Sequence, residues 1–385
     1  MSKVKVNLIE AVNATTPAIT LDNTNGTCTA NLTNRNNRNL IINGAMQVAQ
    51  RGTSSTAAGY TCDRFNILFS GNDEAPTHAQ VDVTSGTTPY TLGFRKALKI
   101  TNGNQTGGAG SSDYILARYK VEAQDIANSG WNYTSSSSYV TLSFWIKSSV
   151  SQNFYFNLRS IDGTSQNYAY ETGSLSANTW TKVTKTILGA SNIQIDNDNN
   201  VGLFIDFWAF AGTAYTDSSV TLNQWAAYSS GNRMPDHTST WYTTNDATFE
   251  LTGVQLEVGS VATDFEHKSF NQELALCKRY YQQFPQSPAD AYGPIASGRI
   301  RNSTNAHLIV FFPEMRSSPT CTKVGNLRIL HAATSTGVNS VASSHMARNI
   351  IFIEGIVSSG LTQGEGCMMT ANNDLSGKIT LSAEL

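Results

Sequence analysis

The sequence of 385 residues predicts an all-β protein: an N-terminal arm, a jelly-roll β-sandwich, a short linking α-helix and a small C-terminal β-sandwich. Three observations carry this expectation. Short runs of β-branched and aromatic residues alternate with polar ones along most of the chain, punctuated by Gly, Asn and Ser clusters, which is the pattern of half-buried strands. A single stretch, near residue 270, changes to helical spacing. Hydrophobic residues make up 40% of the chain, enough to fill cores and to exclude wholesale disorder.

Residues 1–38 read as an arm. Val4, Val6 and Leu8 alternate for one short strand, and the following segment is dense in Asn and Thr with few large apolar groups. Alone it could not offset its ordering entropy, so it is either a floppy terminus or a segment ordered by a partner. Residues 39–268 carry at least eight strand-like runs, among them 63–69, 114–121, 139–147, 153–159, 180–187, 203–208 and 248–257. So many strands with hardly a helix predict a two-sheet jelly roll. Residues 269–289 read as an amphipathic helix and linker. Ser269 and Gln272 form a capping-box pattern, and Phe270, Leu274, Cys277, Tyr281 and Phe284 make one apolar stripe that ends at Pro285 and Pro288. We assign Phe270, Leu274, Cys277 and Tyr281 to a domain or subunit contact. Residues 290–385 return to five or six strands, a smaller β-domain. The continuous apolar run Ile350, Ile351, Phe352 and Ile353 predicts burial on both faces, or against a neighbouring subunit.

Charge limits the function classes. Charged residues are 14% of the chain and the formal net charge is −2, against about 25% charged in an ordinary soluble domain. That argues against a nucleic-acid partner, which needs clustered Lys and Arg. No run approaches the roughly 18 apolar residues of a membrane span. The start, MSKVKVNLIEAVN, lacks an apolar core and reads as no signal peptide. Five scattered cysteines without a C-x-x-C pair disfavour disulfides and zinc, and fit folding in a reducing cytoplasm.

Catalytic motifs are missing. The chain holds no G-x-S-x-G, H-E-x-x-H, G-K-[ST] or G-x-G-x-x-G, and His78, His237, His267, His307, His331 and His345 are scattered. We expect no cofactor and no metal ligand set. The stretch from Asp196 begins like a calcium loop, but Gly202 falls one place late and the twelfth position is Phe207; a single structural Ca2+ pinning the loop stays open. Alternation puts Phe204, Asp206, Trp208 and Phe210 on one strand face, so Asp206 sits among aromatics. It reads either as a general acid or, preferred, as a structural acid bonded by a loop or by Arg64; Asp63 and Glu257 are similar cases. Sugar stacking is the better-supported chemistry, because sugar C–H faces lie on Trp and Tyr rings. Trp131 and Tyr133 sit in a Ser-rich loop, and Trp225, Tyr228, Trp241 and Tyr242 in a weakly patterned stretch of about 25 residues, long for a passive loop. These six are the candidate glycan-binding residues, the alternative being rings that seal a sandwich rim or a subunit contact. Trp145, Trp180 and Trp208 lie in strands and read as core.

Several phrases now combine: residues 39–48 (NLIINGAMQV), 50–53 (QRGT), 60–65 (YTCDRF), 141–149 (TLSFWIKSS), 251–259 (LTGVQLEVG), 262–270 (ATDFEHKSF), 273–281 (ELALCKRYY) and 312–320 (FPEMRSSPT). In this order they resemble a family of bacteriophage virion proteins of tail and tail-fibre type, with jelly rolls like those of carbohydrate-binding modules. The resemblance spans about residues 39–320 and, more loosely, the remainder. It implies a non-enzymatic tail-fibre or receptor-binding subunit, assembled in the host cytoplasm and carried on the virion tail, that attaches to host surface polysaccharide. It implies a homotrimer. Residues 1–38 lie outside the resemblance; we infer that this arm meets phage tail or adaptor proteins, which leaves the C-terminal domain distal. A head fibre or capsid decoration protein, and a polysaccharide depolymerase, are the competing readings.

Overall fold

The computed structural model describes residues 37–285, 290–332 and 334–385, together with three short strands, Leu8–Ile9, Ile19–Leu21 and Cys28–Ala30. Those three pair in one small antiparallel sheet; the rest of residues 1–36, and Pro288, lie outside the described residues.

Two antiparallel sheets face each other from residue 54 to residue 258. The front sheet has six strands in the order Thr181–Leu188, Tyr139–Ser148, Thr248–Val258, Lys96–Thr101, Thr77–Asp82 and Ser54–Ser55. The back sheet has seven: Trp225–Ala227, Gln166–Ser174, Asn153–Ser160, Val201–Ala211, Tyr114–Glu122, Phe65–Ser70 and Gly59–Tyr60. Central neighbours are distant in sequence, as where Tyr139–Ser148 lies between Thr181–Leu188 and Thr248–Val258. This is jelly-roll pairing.

Period-two alternation sets the core. In Tyr139–Ser148 the side chains of Val140, Leu142, Phe144 and Ile146 are all fully buried between the sheets, while Thr141, Ser143, Trp145 and Lys147 point away. Phe144 and Phe249 from the front sheet meet Phe154, Phe156 and Phe207 from the back, with ring centroids 5.2–6.1 Å apart and edge-to-face or tilted, the geometry aromatic pairs prefer.

The helix covers Phe270–Lys278, and the expected capping box is present, Ser269 accepting from the Gln272 N–H while the Gln272 side chain accepts from the Ser269 N–H. It is shorter than predicted: Tyr281–Phe284 is a strand that pairs with Lys378–Ser382 of the C-terminal domain. The buried face also differs. Glu273, Cys277 and Tyr280 are buried, whereas Phe270 is 51% exposed and Leu274 half-buried. Glu273 turns inward because its carboxylate accepts the Asn43 N–H, so the stripe is rotated by a charged residue that hydrophobic spacing does not detect. Phe270 and Leu274 instead line an open cleft of about 450 Å3 with residues 48–52, Lys278, Gln283 and Lys378.

Beyond residue 290 nine strands form, more than the five or six expected. The additional ones, such as Thr334–Val338 and Ser340–Met346, are rich in Ser, Thr and Gly and carry little hydrophobic signal. A sheet of seven strands packs against one of three, which is Tyr281–Phe284, Lys378–Ser382 and Thr320–Val324. The run at Ile350 is not buried on both faces: Ile351 and Ile353 are buried, and Ile350 and Phe352 half-buried.

The two domains meet in an ionic seam. Arg64, 3% exposed, lies 3.4 Å from the Tyr280 ring centroid and donates to Glu384 Oε2 at 2.5 Å and to the Lys120 carbonyl at 2.7 Å. Arg51 donates to the same Glu384 at 2.8 Å and stacks 3.7 Å from the Tyr281 centroid. Arg279 grips Glu122 in a fork at 2.8 and 2.7 Å, and the Tyr280 hydroxyl donates to Glu122 at 2.5 Å. Burial alone would push the Glu122 carboxyl up, but the Arg279 and Tyr280 hydrogen bonds outweigh it and hold the group below its ordinary value. Arg316 ties the last strand to Asn199 through the Ala383 and Asn199 carbonyls at 2.9 and 2.7 Å.

Candidate functional site

The front sheet turns its polar face outward, and a cleft of about 250 Å3 opens there, lined by Leu92, Phe94, Ser143, Trp145, Lys182, Gly253, Thr263, Asp264, Phe265 and His267. Its floor follows from strand alternation. Trp145 lies on the outward face beside Ser143 and Lys147, directly opposite Lys182 on one neighbouring strand and Thr252 on the other. The register of the Tyr139–Ser148 and Thr248–Val258 pair slips between Ser143 and Trp145, a bulge that re-aims side chains. Gly253 sits in that bulge with φ +63°, and a Cβ there would lie 2.7 Å from the Phe94 ring and 3.1 Å from Trp145. Only glycine combines that backbone with two rings so close.

The wall is a segment pinned from beneath. Gln255 and Glu257, both buried, point outward from the strand. The Glu257 carboxylate accepts the Thr263 N–H at 2.9 Å and its hydroxyl at 2.6 Å, and Gln255 Oε1 accepts the Glu266 N–H at 2.8 Å. Glu266 in turn accepts the N–H groups of Asn37, Arg38 and Asn39 at 2.6–2.9 Å. Those bonds and the neighbouring Lys268 overcome its burial and hold its carboxyl below the ordinary range. The anchored segment presents Phe265 and His267, whose rings pack with Phe94 at centroid distances of 4.9–5.1 Å. Beside the cleft, Lys147 pairs with Glu250 at 3.0 Å and lies 5.1 Å from the Trp180 ring centroid. A half-buried indole, two phenyl rings and a rim of Ser, Thr, Asp, Lys and His can hold a flat, hydroxyl-rich ligand: C–H against ring, hydroxyls to the rim.

The six rings expected to bind ligand do not converge, and three are core. Trp241 is fully buried, its Nε1–H donating to the Thr248 carbonyl at 3.0 Å. Tyr242 stacks 4.1 Å from Phe210 and its hydroxyl donates to Asp113 at 3.0 Å. Trp131, 3% exposed, packs on half-buried Tyr133. A ring inside the core cannot stack a sugar, so Trp131, Trp241 and Tyr242 seal the sandwich rim. Trp225 and Tyr228 are half-buried; Trp225 packs on Tyr168 and donates to the Leu188 carbonyl at 2.7 Å, and Tyr228 lies against Arg159. Trp145 and Trp180, read as core, lie instead on the outward face.

The acids have structural partners. Asp206 is gripped by the Nε and Nη2 of Arg118, both at 2.7 Å, and not by Arg64. Asp63 accepts from the Gln50 N–H and side chain. Asp198, in the calcium-like stretch, accepts from Asn200. Among the described residues no group of three or more His, Cys, Asp or Glu side chains could hold a metal ion.

No family model matches the chain, and no curated protein matches it. Among solved structures 45 chains match. The enzymatically active domain of tailspike protein 4 from bacteriophage CBA120 is 11% identical, covering 57% of this chain and 21% of that one, with a TM-score of 0.31. A CBM4 structure is 13% identical over 56% of this chain and 98% of that one, at a TM-score of 0.28. A family 11 carbohydrate-binding module from Clostridium thermocellum, in complex with a β-1,3-1,4-mixed-linked tetrasaccharide, is 10% identical over 56% and 98%, at 0.25. Likeness at these TM-scores assigns the chain to no family, and both fold and site rest on this chain's own sheets and side chains.

Proposed function

We propose that the protein binds glycan without catalysis, taking a sugar ring on Trp145 in the front-sheet cleft. The observation that carries this reading is the placement of that indole: half-buried, flanked by Phe94 and Phe265 over a glycine bulge, with hydrogen-bonding groups around it. Asp264 is the one carboxylate among the residues lining the cleft, and glycosidic hydrolysis in its usual form uses two acids about 5–10 Å apart. The sequence phrases supply the setting. On that resemblance the chain serves as a tail-fibre or receptor-binding subunit of a phage virion, repeated as a homotrimer, with residues 1–38, outside the resemblance, as the proposed attachment arm. Repetition turns weak single sites into tight particle adhesion.

The test is retention of the purified chain on an array of bacterial surface polysaccharides. We expect retention of the protein, a loss of about tenfold or more in affinity for Trp145→Ala, and no release of reducing ends over hours. Equal retention of Trp145→Ala overturns the site, and released reducing ends overturn the non-catalytic reading. A mass of three times 41.6 kDa by light scattering supports the trimer; a monomer contradicts it.

A further inference from the structure

The outward face of the back sheet carries a second, separate arrangement. Alternation along Asn153–Ser160 buries Phe154, Phe156 and Leu158 and turns Tyr155, Asn157 and Arg159 outward. Phe204 lies opposite Arg159 and Lys120 on the two neighbouring strands. The guanidinium carbons of Arg118 and Arg159 are 4.6 and 5.0 Å from the Phe204 centroid, and Lys120 Nζ is 5.8 Å away. Tyr228, from the segment folded across this face, lies 4.0 Å from Arg159 and 5.8 Å from Arg233. Arg233 also sits 5.4 Å from Trp208 and 4.9 Å from Tyr215.

Each cation but one has an oxygen partner. Arg118 has Asp206, Lys120 donates to the Leu385 oxygen, and Arg233 Nε donates to the Ser230 carbonyl at 3.1 Å. The Arg159 side chain makes no hydrogen bond or ion pair among the described residues. Its Nε is buried without a partner, and the residue as a whole is half-buried. A buried donor of a charged group left unmatched is costly, and a guanidinium held flat by rings is ready for an anion that presents two oxygens side by side. The position is fixed beneath: Trp208 Nε1 donates to Asn157 at 2.7 Å, Asn157 to Asn167 at 2.9 Å, and Asn167 to the Arg233 carbonyl at 2.9 Å.

We propose that Arg159, with Arg233 as the second cation and Tyr228 as the adjoining ring, binds the anionic group of an acidic polysaccharide, a carboxylate or a phosphate. The proposal stands without the Trp145 cleft, which lies on the other sheet. The full chain is run by electrophoresis through gels containing polygalacturonate, poly(glycerol phosphate) or fully methyl-esterified polygalacturonate. Retardation by at least one of the acidic polymers, and none by the ester, is expected. The polymer that retards identifies the anion as carboxylate or phosphate. Arg159→Gln should weaken it by about tenfold, and Arg233→Gln by less. Should the glutamine variant not fold, Arg159→Lys, which keeps the charge but loses the fork, should still weaken retardation several-fold. No retardation by either acidic polymer, equal retardation by the ester, or retardation unchanged in the Arg159 variant overturns the proposal.

Discussion

The seam between the domains and the outward face of the back sheet both press arginines against aromatic rings, but they finish the arrangement differently. At the seam Arg64 stacks on Tyr280 and meets Glu384, and Arg279 meets Glu122. On the back sheet Arg159 lies between Phe204 and Tyr228 with no acceptor. A guanidinium whose acceptors come from its own chain is a joint. One whose acceptors are missing is half of a binding site. The difference separates surfaces that hold the molecule together from surfaces that meet something else.

Removing a partner at the seam should have the largest effect. Glu384→Ala leaves Arg64 buried without its carboxylate, and such a loss typically costs roughly 3–5 kcal/mol. Thermal melting should show it, with the domains parting at a lower temperature than the sandwich unfolds. A melting temperature within a degree or two of the parent would mean the seam is not a joint. Glu122→Gln removes a charge-assisted cluster and should cost roughly 1.5–3 kcal/mol near neutral pH, with a set pH dependence. Because the folded state holds the Glu122 carboxyl below its ordinary value of 4.5, its contribution is full above that value. It disappears as pH falls through the folded value. The melting difference between parent and variant should therefore shrink from pH 6 to pH 3; a constant difference would contradict the assignment.

Gly253→Ala tests the cleft floor. A Cβ against Phe94 and Trp145, on a left-handed backbone, should cost about 1–3 kcal/mol and impair glycan retention while the seam stays intact, which the Glu122 pH signature would report. The smallest stability effect belongs to Arg159→Gln. With no partner to lose, it should change stability by no more than about 0.5 kcal/mol in chemical denaturation. A large destabilisation would show that the ring stacking is itself structural and would erase the contrast with Arg64.

The fold was largely legible because its signals are local. Alternation marked the sandwich strands, and Ser269 with Gln272 marked the helix start. What escaped depended on contacts between distant residues. Glu273 could not be read as buried until Asn43 supplied its donor, and the Ser- and Thr-rich strands of the C-terminal domain form because their neighbours pair with them. The candidate rings of the sequence differ from the proposed cleft for a different reason. The long, weakly patterned segment drew attention to Trp241 and Tyr242, which turn inward to plug the rim. The strand of Trp145 itself carries a signal: Val140, Leu142, Phe144 and Ile146 occupy one face, leaving Trp145 with Ser143 and Lys147 on the other. Arg159 gave no comparable signal, since its lack of an acceptor appears only when the folded neighbours are known.

The outward indole of the front sheet is the proposed adhesive surface. Titration calorimetry of an oligosaccharide retained on the array, against the parent, Trp145→Ala and Trp225→Ala, addresses this most directly. Binding is expected for the parent and for Trp225→Ala, with heat lost in Trp145→Ala. Binding that survives Trp145→Ala and disappears in Trp225→Ala would contradict it.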